Sequence, residues 1–255
     1  MDPYAWSWNP EALVVLGLTA AYLGARRRYP APRWRTACFL TAMALLLVVS
    51  ITPVHTLAMH YLLTVHLLQN VVLAEWAPLL LVLGIPPALA AILTRSAAMR
   101  ALTHPAIALP LWLANYMLWH LPWLYDSALE NPNTLLHLEH ALYLLTGIAM
   151  WWCVFQDEPH RLGAGARACY VFAAFVLGSP IGLVLALVPN AIYDFYVAAH
   201  RRVWGLDPLE DQQLAGMLMA VEQAVVFFAV FAYWFFRFLA EEERREDIDH
   251  PPARA

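Results

Sequence analysis

Lysine is missing from this 255-residue chain, so all 15 basic residues are arginine. Charge of either sign is scarce, at 13% of residues against roughly 25% in an ordinary soluble domain. With a net charge of −4 and no basic face to neutralise phosphates, a nucleic-acid partner is excluded. Cysteine is limited to Cys38, Cys153 and Cys169, with no C-x-x-C pair. A disulfide framework and a thiolate metal site are therefore not expected, and without C-x-x-C-H neither is covalently attached heme. The H-E-x-x-H helix motif is also missing, which counts against an intramembrane metallohydrolase; no enzymatic activity is expected. No internal repeat is visible, unlike the many transporters built from inverted repeats. Residues 1–10 have no basic n-region and include Asp2, so a cleaved signal peptide is not expected and the first helix should be retained.

What fills the chain instead is apolar: 62% hydrophobic residues and a mean hydropathy of +0.56. A bilayer core of about 30 Å needs roughly 17–25 apolar helical residues, and seven stretches meet or approach that length. They lie at 11–23, 35–51, 59–83, 105–120, 134–155, 167–188 and 213–239, predicting an all-α polytopic bundle of seven transmembrane helices over residues 1–240. Residues 241–255 form a charged cytoplasmic tail. Pro78 and Pro180 fall inside spans and should kink them, whereas most other prolines mark helix ends or loops.

Short arginine-rich loops stay on the cytoplasmic side. Arg26, Arg27, Arg28, Arg33 and Arg35 occupy the first connection, Arg95 and Arg100 the third, Arg161 and Arg167 the fifth, and Arg237, Arg244, Arg245 and Arg254 the C-terminus. The alternate loops carry only Arg201 and Arg202, which puts the N-terminus outside and the C-terminus in the cytoplasm. In that frame His104, His160 and His250 are cytoplasmic. The other seven histidines, His55, His60, His66, His120, His137, His140 and His200, gather at the outer face.

Histidine is tolerated at membrane interfaces, and loop positions such as His55 and His200 need no further explanation. His66 and His140 lie inside spans, where an ionisable side chain is costly and faces a partner or a cavity. At about 1.5 Å per residue, His66 is roughly 10 Å deep, His140 about 9 Å and Glu222 about 13 Å, so the three can meet at one level. Asn70 shares the face of His66, and His137 nearly shares that of His140. Glu75, near 24 Å, points away from His66 into another network. Converging imidazoles suit copper or zinc. Met59, Met117, Met217 and Met219 in the outer half favour copper, although methionine is more often packing. Two histidines from different helices also suit heme iron. The metal candidates are His66, His137, His140 and Glu222. Supporting candidates are Asn70, His120, Asp126, Glu139 as an acceptor for an imidazole, Asp211 as N-cap of the last helix, and Met219.

Five motifs recur in order: Ser50-x-x-Pro53; His66 followed by Ala77-Pro78-Leu79-Leu80-Leu81-Val82-Leu83-Gly84-Ile85-Pro86; Trp119-His120-x-Pro122-x-x-Tyr125-Asp126-x-Ala128-Leu129; His137-Leu138-Glu139-His140; and Asp211-Gln212-Gln213-Leu214-Ala215-Gly216. In this the chain resembles the seven-helix CtaG-type assembly factors of caa-type cytochrome c oxidase. The resemblance implies a multi-pass protein of the bacterial plasma membrane that helps mature a heme-copper oxidase, through copper delivery or insertion at the outer side. Its partners would be an oxidase subunit or a copper chaperone. Two departures stand out. Asn70 replaces a histidine usual in the third helix, and Met219-Ala220-Val221-Glu222-Gln223 replaces the usual Met-Trp-x-Pro-Gly. The two changes lie at similar depth, so Glu222 is expected to restore part of what Asn70 removes. The alternative reading is a small proton, ion or metal transporter using intramembrane His and Glu.

Overall fold

The computed structural model describes residues 2–199 and 202–249. His200, Arg201, His250 and Arg254, used above to assign sides, lie outside the described residues. Within them the chain is all-helical, without strands. In order the helices are α1 (Glu11–Arg28), α2 (Arg33–Ile51), α3 (Pro53–His60), α4 (Leu63–Val71), a π-helical turn (Val72–Trp76), α5 (Ala77–Gly84), α6 (Pro87–Leu93), α7 (Ala97–Leu102), α8 (Pro105–Trp119), α9 (Pro122–Glu130), α10 (Leu135–Phe155), α11 (Ala164–Gly178), α12 (Pro180–Leu187), α13 (Asp194–Val197) and α14 (Pro208–Asp249).

Five helical segments are long and apolar enough to cross a membrane: Arg33–Ile51, Leu63–Gly84, Leu135–Phe155, Ala164–Leu187 and Pro208–Glu246. Two other long helices fall short of that. α1 carries Glu11 and three arginines in its 18 residues, and α8 has 15 residues with Pro110 inside. The outward face of α14 is apolar, with Val221, Val225, Phe228 and Phe236 each exposed by more than half. Polar side chains such as Glu75, Gln69, Asp211 and Gln223 are instead buried. An exposed apolar stripe around a polar interior suits lipid as the surrounding solvent.

Several boundaries differ from the sequence reading. The third span starts at Leu63 rather than Met59, because the chain first forms α3. Thr52 caps that helix, its hydroxyl accepting from Val54 N–H, and Pro53 supplies a preset first turn. The last helix starts at Pro208, so Asp211 lies within it; Asp207 is its cap, accepting from the N–H groups of Leu209 and Glu210 at 2.8 Å each. Asp211 caps a different helix. Its carboxylate accepts from Leu63 N–H at 2.7 Å and Thr64 N–H at 3.0 Å, and from the Thr64 hydroxyl at 2.7 Å, satisfying the open N-terminus of α4. Next to it, Gln212 accepts from Ile192 N–H at 2.7 Å and donates to the Asn190 carbonyl, fixing the loop before α13.

Both prolines expected inside spans mark irregularities. Pro180 follows Ser179 at the α11–α12 junction. Pro78 follows the π-helical turn, which absorbs an extra residue where proline offers no N–H to the preceding turn. Glu75 lies in that turn. At the arginine-bearing end, helix C-terminal carbonyls are bound by side chains: Arg35 donates to Leu83 and Ile85, Gln156 to Val82 and Ile85, and Arg167 to Val154. His104 and His160 share that end, their rings 4.7 Å apart, and the other described histidines gather at the opposite end of the bundle.

Candidate functional site

α10 begins with Leu135-Leu136-His137-Leu138-Glu139-His140, and the i,i+3 spacing turns His137 and His140 to one side. They meet Glu11, from the first turn of α1. Glu11 Oε1 accepts from His137 Nδ1–H at 2.7 Å and from His140 Nδ1–H at 2.9 Å. One ligand atom from each of the three residues lies within 4.8 Å of the other two, and no other trio of His, Cys, Asp or Glu among the described residues converges this closely. His140 is 3% exposed, while His137 and Glu11 remain open at 29% and 23%.

Three buried imidazoles have their tautomers fixed by what their Nδ1 atoms touch. His66 Nδ1 is 2.8 Å from the Tyr196 hydroxyl, whose own proton goes to the Ala58 carbonyl at 2.6 Å. Tyr196 therefore accepts, and Nδ1 of His66 carries the hydrogen. His120 Nδ1 is 2.8 Å from the Tyr116 carbonyl, which can only accept. His140 Nδ1 faces a carboxylate. In each ring Nε2 is left as a bare lone pair, and His66 Nε2, His120 Nε2 and His140 Nε2 are all buried without a hydrogen-bond partner. An Nδ1–H tied to an oxygen with Nε2 free is the arrangement of a metal-ligating histidine. The rings of His66 and His120 flank Tyr125, with centroid distances of 5.1 and 6.3 Å, and the Tyr125 ring lies tilted against that of Tyr193 at 4.2 Å.

The short helix α13 covers this cluster. Tyr193 and Tyr196 reach inward to the His120 carbonyl and to His66. Asp126 anchors α13 by accepting from Asp194 N–H at 3.1 Å and Phe195 N–H at 3.3 Å. Burial pushes the Asp126 carboxyl above its ordinary range, against the pull of those two N–H groups. Outside lies an open concavity of about 810 Å³, lined by His60, Trp123, Asp126, Glu130 and Asp194 among others. His55 sits on α3, 3.4 Å from the Gln69 amide. Burial, reinforced by the neighbouring His140, holds its imidazole down to about 4; Glu11 pulls the other way, and His60 and His137 add to the depression.

Glu222 is placed apart from these histidines. It accepts from the Trp76 indole N–H, and its carboxyl neighbours Glu75 within hydrogen-bonding reach. Gln223 donates to Glu75 at 2.9 Å and to the Tyr116 hydroxyl at 3.2 Å. Depth along a helix gives level but not direction, and the π-helical turn brings Glu75 round to face α14. Glu75 thus stands apart from His66, as expected, and Glu222 joins it. Asn70 donates to Glu139 at 3.2 Å, and among the described residues no hydrogen bond joins it to Glu222 or to an imidazole. Met219 is buried where α12 and α14 touch, against Gly182. The sequence reading missed Glu11, Tyr193 and Tyr196. Glu11 carried a signal, being a carboxylate at the mouth of an apolar helix, whereas the tyrosines look like ordinary interface residues.

Comparison with curated proteins and with solved structures returns no significant match. The model of the cytochrome c oxidase caa3 assembly factor family (Caa3_CtaG) matches residues 17–241, most of the chain, and the chain belongs to that family.

Proposed function

We propose that this chain is a non-enzymatic assembly factor of the bacterial plasma membrane that holds copper for a heme-copper oxidase at the outer side of the bilayer. Seven spans, with α1 and α8 counted among them, place the N-terminus outside and the C-terminus in the cytoplasm. The arginine-bearing connections are then cytoplasmic and the histidine-bearing end faces out. The observation that carries the reading is the prepared state of His66, His120 and His140, each with Nδ1–H bound to oxygen and Nε2 buried and unpartnered. Buried imidazole nitrogens with a free lone pair are donors that copper accepts. Bound copper would supply the cargo; the chain's part is to keep Nε2 deprotonated and dry. The aromatic, acidic concavity outside α13 suits the approach of an oxidase subunit or a copper chaperone.

Metal analysis of the purified protein after copper loading tests this. Wild type is expected to retain copper and His66→Ala and His140→Ala to lose it, while Glu222→Ala keeps it. Tyr196→Phe removes the acceptor that fixes the His66 tautomer, and is expected to weaken copper binding about 10–100-fold with the fold intact. Unchanged copper content in both histidine variants would overturn the reading.

A further inference from the structure

The trio at the mouth of the cluster differs in chemistry from the buried donors behind it. We propose that Glu11, His137 and His140 form a second, partly exposed site for a divalent cation, one carboxylate oxygen and two imidazole nitrogens, which shares His140 with the buried donors and from which the cation passes inward. Glu11 lies upstream of the residues the family model matches, so nothing in the family assignment calls for it.

Geometry supplies the first support. The three ligand atoms already lie within 4.8 Å of one another on two helices, α1 and α10, and each ring turns Nδ1 toward the same carboxylate oxygen. A cation seated between them would replace the N–H groups that now hold Glu11, each Nδ1 proton moving to Nε2 of its own ring. A mixed oxygen and nitrogen set suits Cu(II) or Zn(II), and three protein ligands leave a coordination position open for a departing or arriving ligand.

Exposure supplies the second. His137 and Glu11 reach solvent, whereas His140 is buried and its opposite nitrogen, Nε2, is an unpartnered atom in the interior. His140 thus serves the two places in turn: with its proton on Nε2, Nδ1 is free for the outer trio, and with the proton back on Nδ1, Nε2 is bare toward the interior. A cation captured outside has one ring to cross.

This inference rests on the copper-holding reading above, and its test separates the two. Full-length protein in detergent is titrated with Cu(II) and, separately, Zn(II), and the Cu(II) form is followed by electron paramagnetic resonance. Wild type is expected to show an accessible site with two nitrogen ligands. Glu11→Gln keeps the shape and a hydrogen-bond acceptor but removes the charge; it should weaken that site at least tenfold and change the spectrum. Glu11→Asp should restore part of the affinity. His66→Ala should leave the outer spectrum in place while removing inner copper. If Glu11→Gln matches wild type in affinity and spectrum while His66→Ala loses metal, Glu11 is only a hydrogen-bond partner, and this inference falls alone. If wild type binds neither ion, both readings fall.

Discussion

His55 shows how much one side chain's surroundings decide. It lies outside the spans on α3, and its burial near His140, His60 and His137 outweighs the attraction of Glu11, holding its pKa at about 4 against an ordinary 6.5. Between those values the unfolded chain binds a proton that the native imidazole refuses, so native stability is intact above about pH 6.5 and declines as pH falls toward 4. The contribution is of order 2 kcal/mol once partial exposure is allowed for. Thermal unfolding in detergent should show wild type losing stability over that window more steeply than His55→Gln; parallel slopes would sink the argument. The same residue scale shows what sequence conveys. Asp211 is legible as a polar residue beside a helix start, and an N-cap is the natural inference. Its true partners, Leu63 and Thr64, are nearly 150 positions away, and no local pattern points to them. His137 and His140 are legible as a pair by spacing, but Glu11, which completes them, is joined only by the packing of the bundle.

At the level of elements, the segment from Leu63 to Gly84 shows a proline effect that sequence announces without resolving. Pro78 predicts an irregularity; it does not say that the irregularity is a π-helical turn, nor that Glu75 is swung toward α14 by it. The turn needs room, and α10 provides it at Gly147. A Cβ there would collide with the carbonyl oxygen of Ala74 and come within 2.7 Å of Pro78 Cγ. The first obstacle is backbone and cannot rotate away. Gly147→Ala is therefore expected to destabilise by about 2–3 kcal/mol, as overpacking does, and to disturb the Glu75–Gln223 contact. Gly17→Ala is the control: nothing lies within 4 Å of a Cβ at Gly17, and replacing a helical glycine there should be neutral or slightly stabilising. Equal unfolding temperatures for the two variants would contradict the packing account. α3 and α13 also escape a reading by hydropathy, since eight and four residues are too few for a period to show. Yet α13 and its N-cap carry the tyrosines, Tyr196 and Tyr193, that close the histidine cluster.

Across the whole molecule, the buried polar side chains lie within a largely apolar core under an apolar surface, and most of the arginines and histidines of the described residues are sorted end from end. Most arginines lie at one end, on helix C-termini and in solvent, Arg202 excepted; at the other end His66, His120 and His140 gather beneath α13 with their Nε2 lone pairs buried, while His104 and His160 stay with the arginines. This sorting was the most legible feature of the sequence, because loop charge and hydropathy are additive along the chain and need no contacts to be read. The azimuth of each helix was not legible, which is why Glu222 meets Glu75 instead of the histidines. The sorting also makes orientation testable. In a cysteine-free background, Glu130→Cys places a thiol beside the acidic concavity, and Arg161→Cys places one at the exposed arginine end, where the native side chain is 81% exposed. If the histidines face outward, a membrane-impermeant maleimide added to intact spheroplasts should label the thiol at 130. The thiol at 161 should react only after the membrane is opened. The reverse pattern would put the histidine cluster in the cytoplasm. It would remove the basis for outer-side copper delivery while leaving the metal-binding chemistry of the site unchanged.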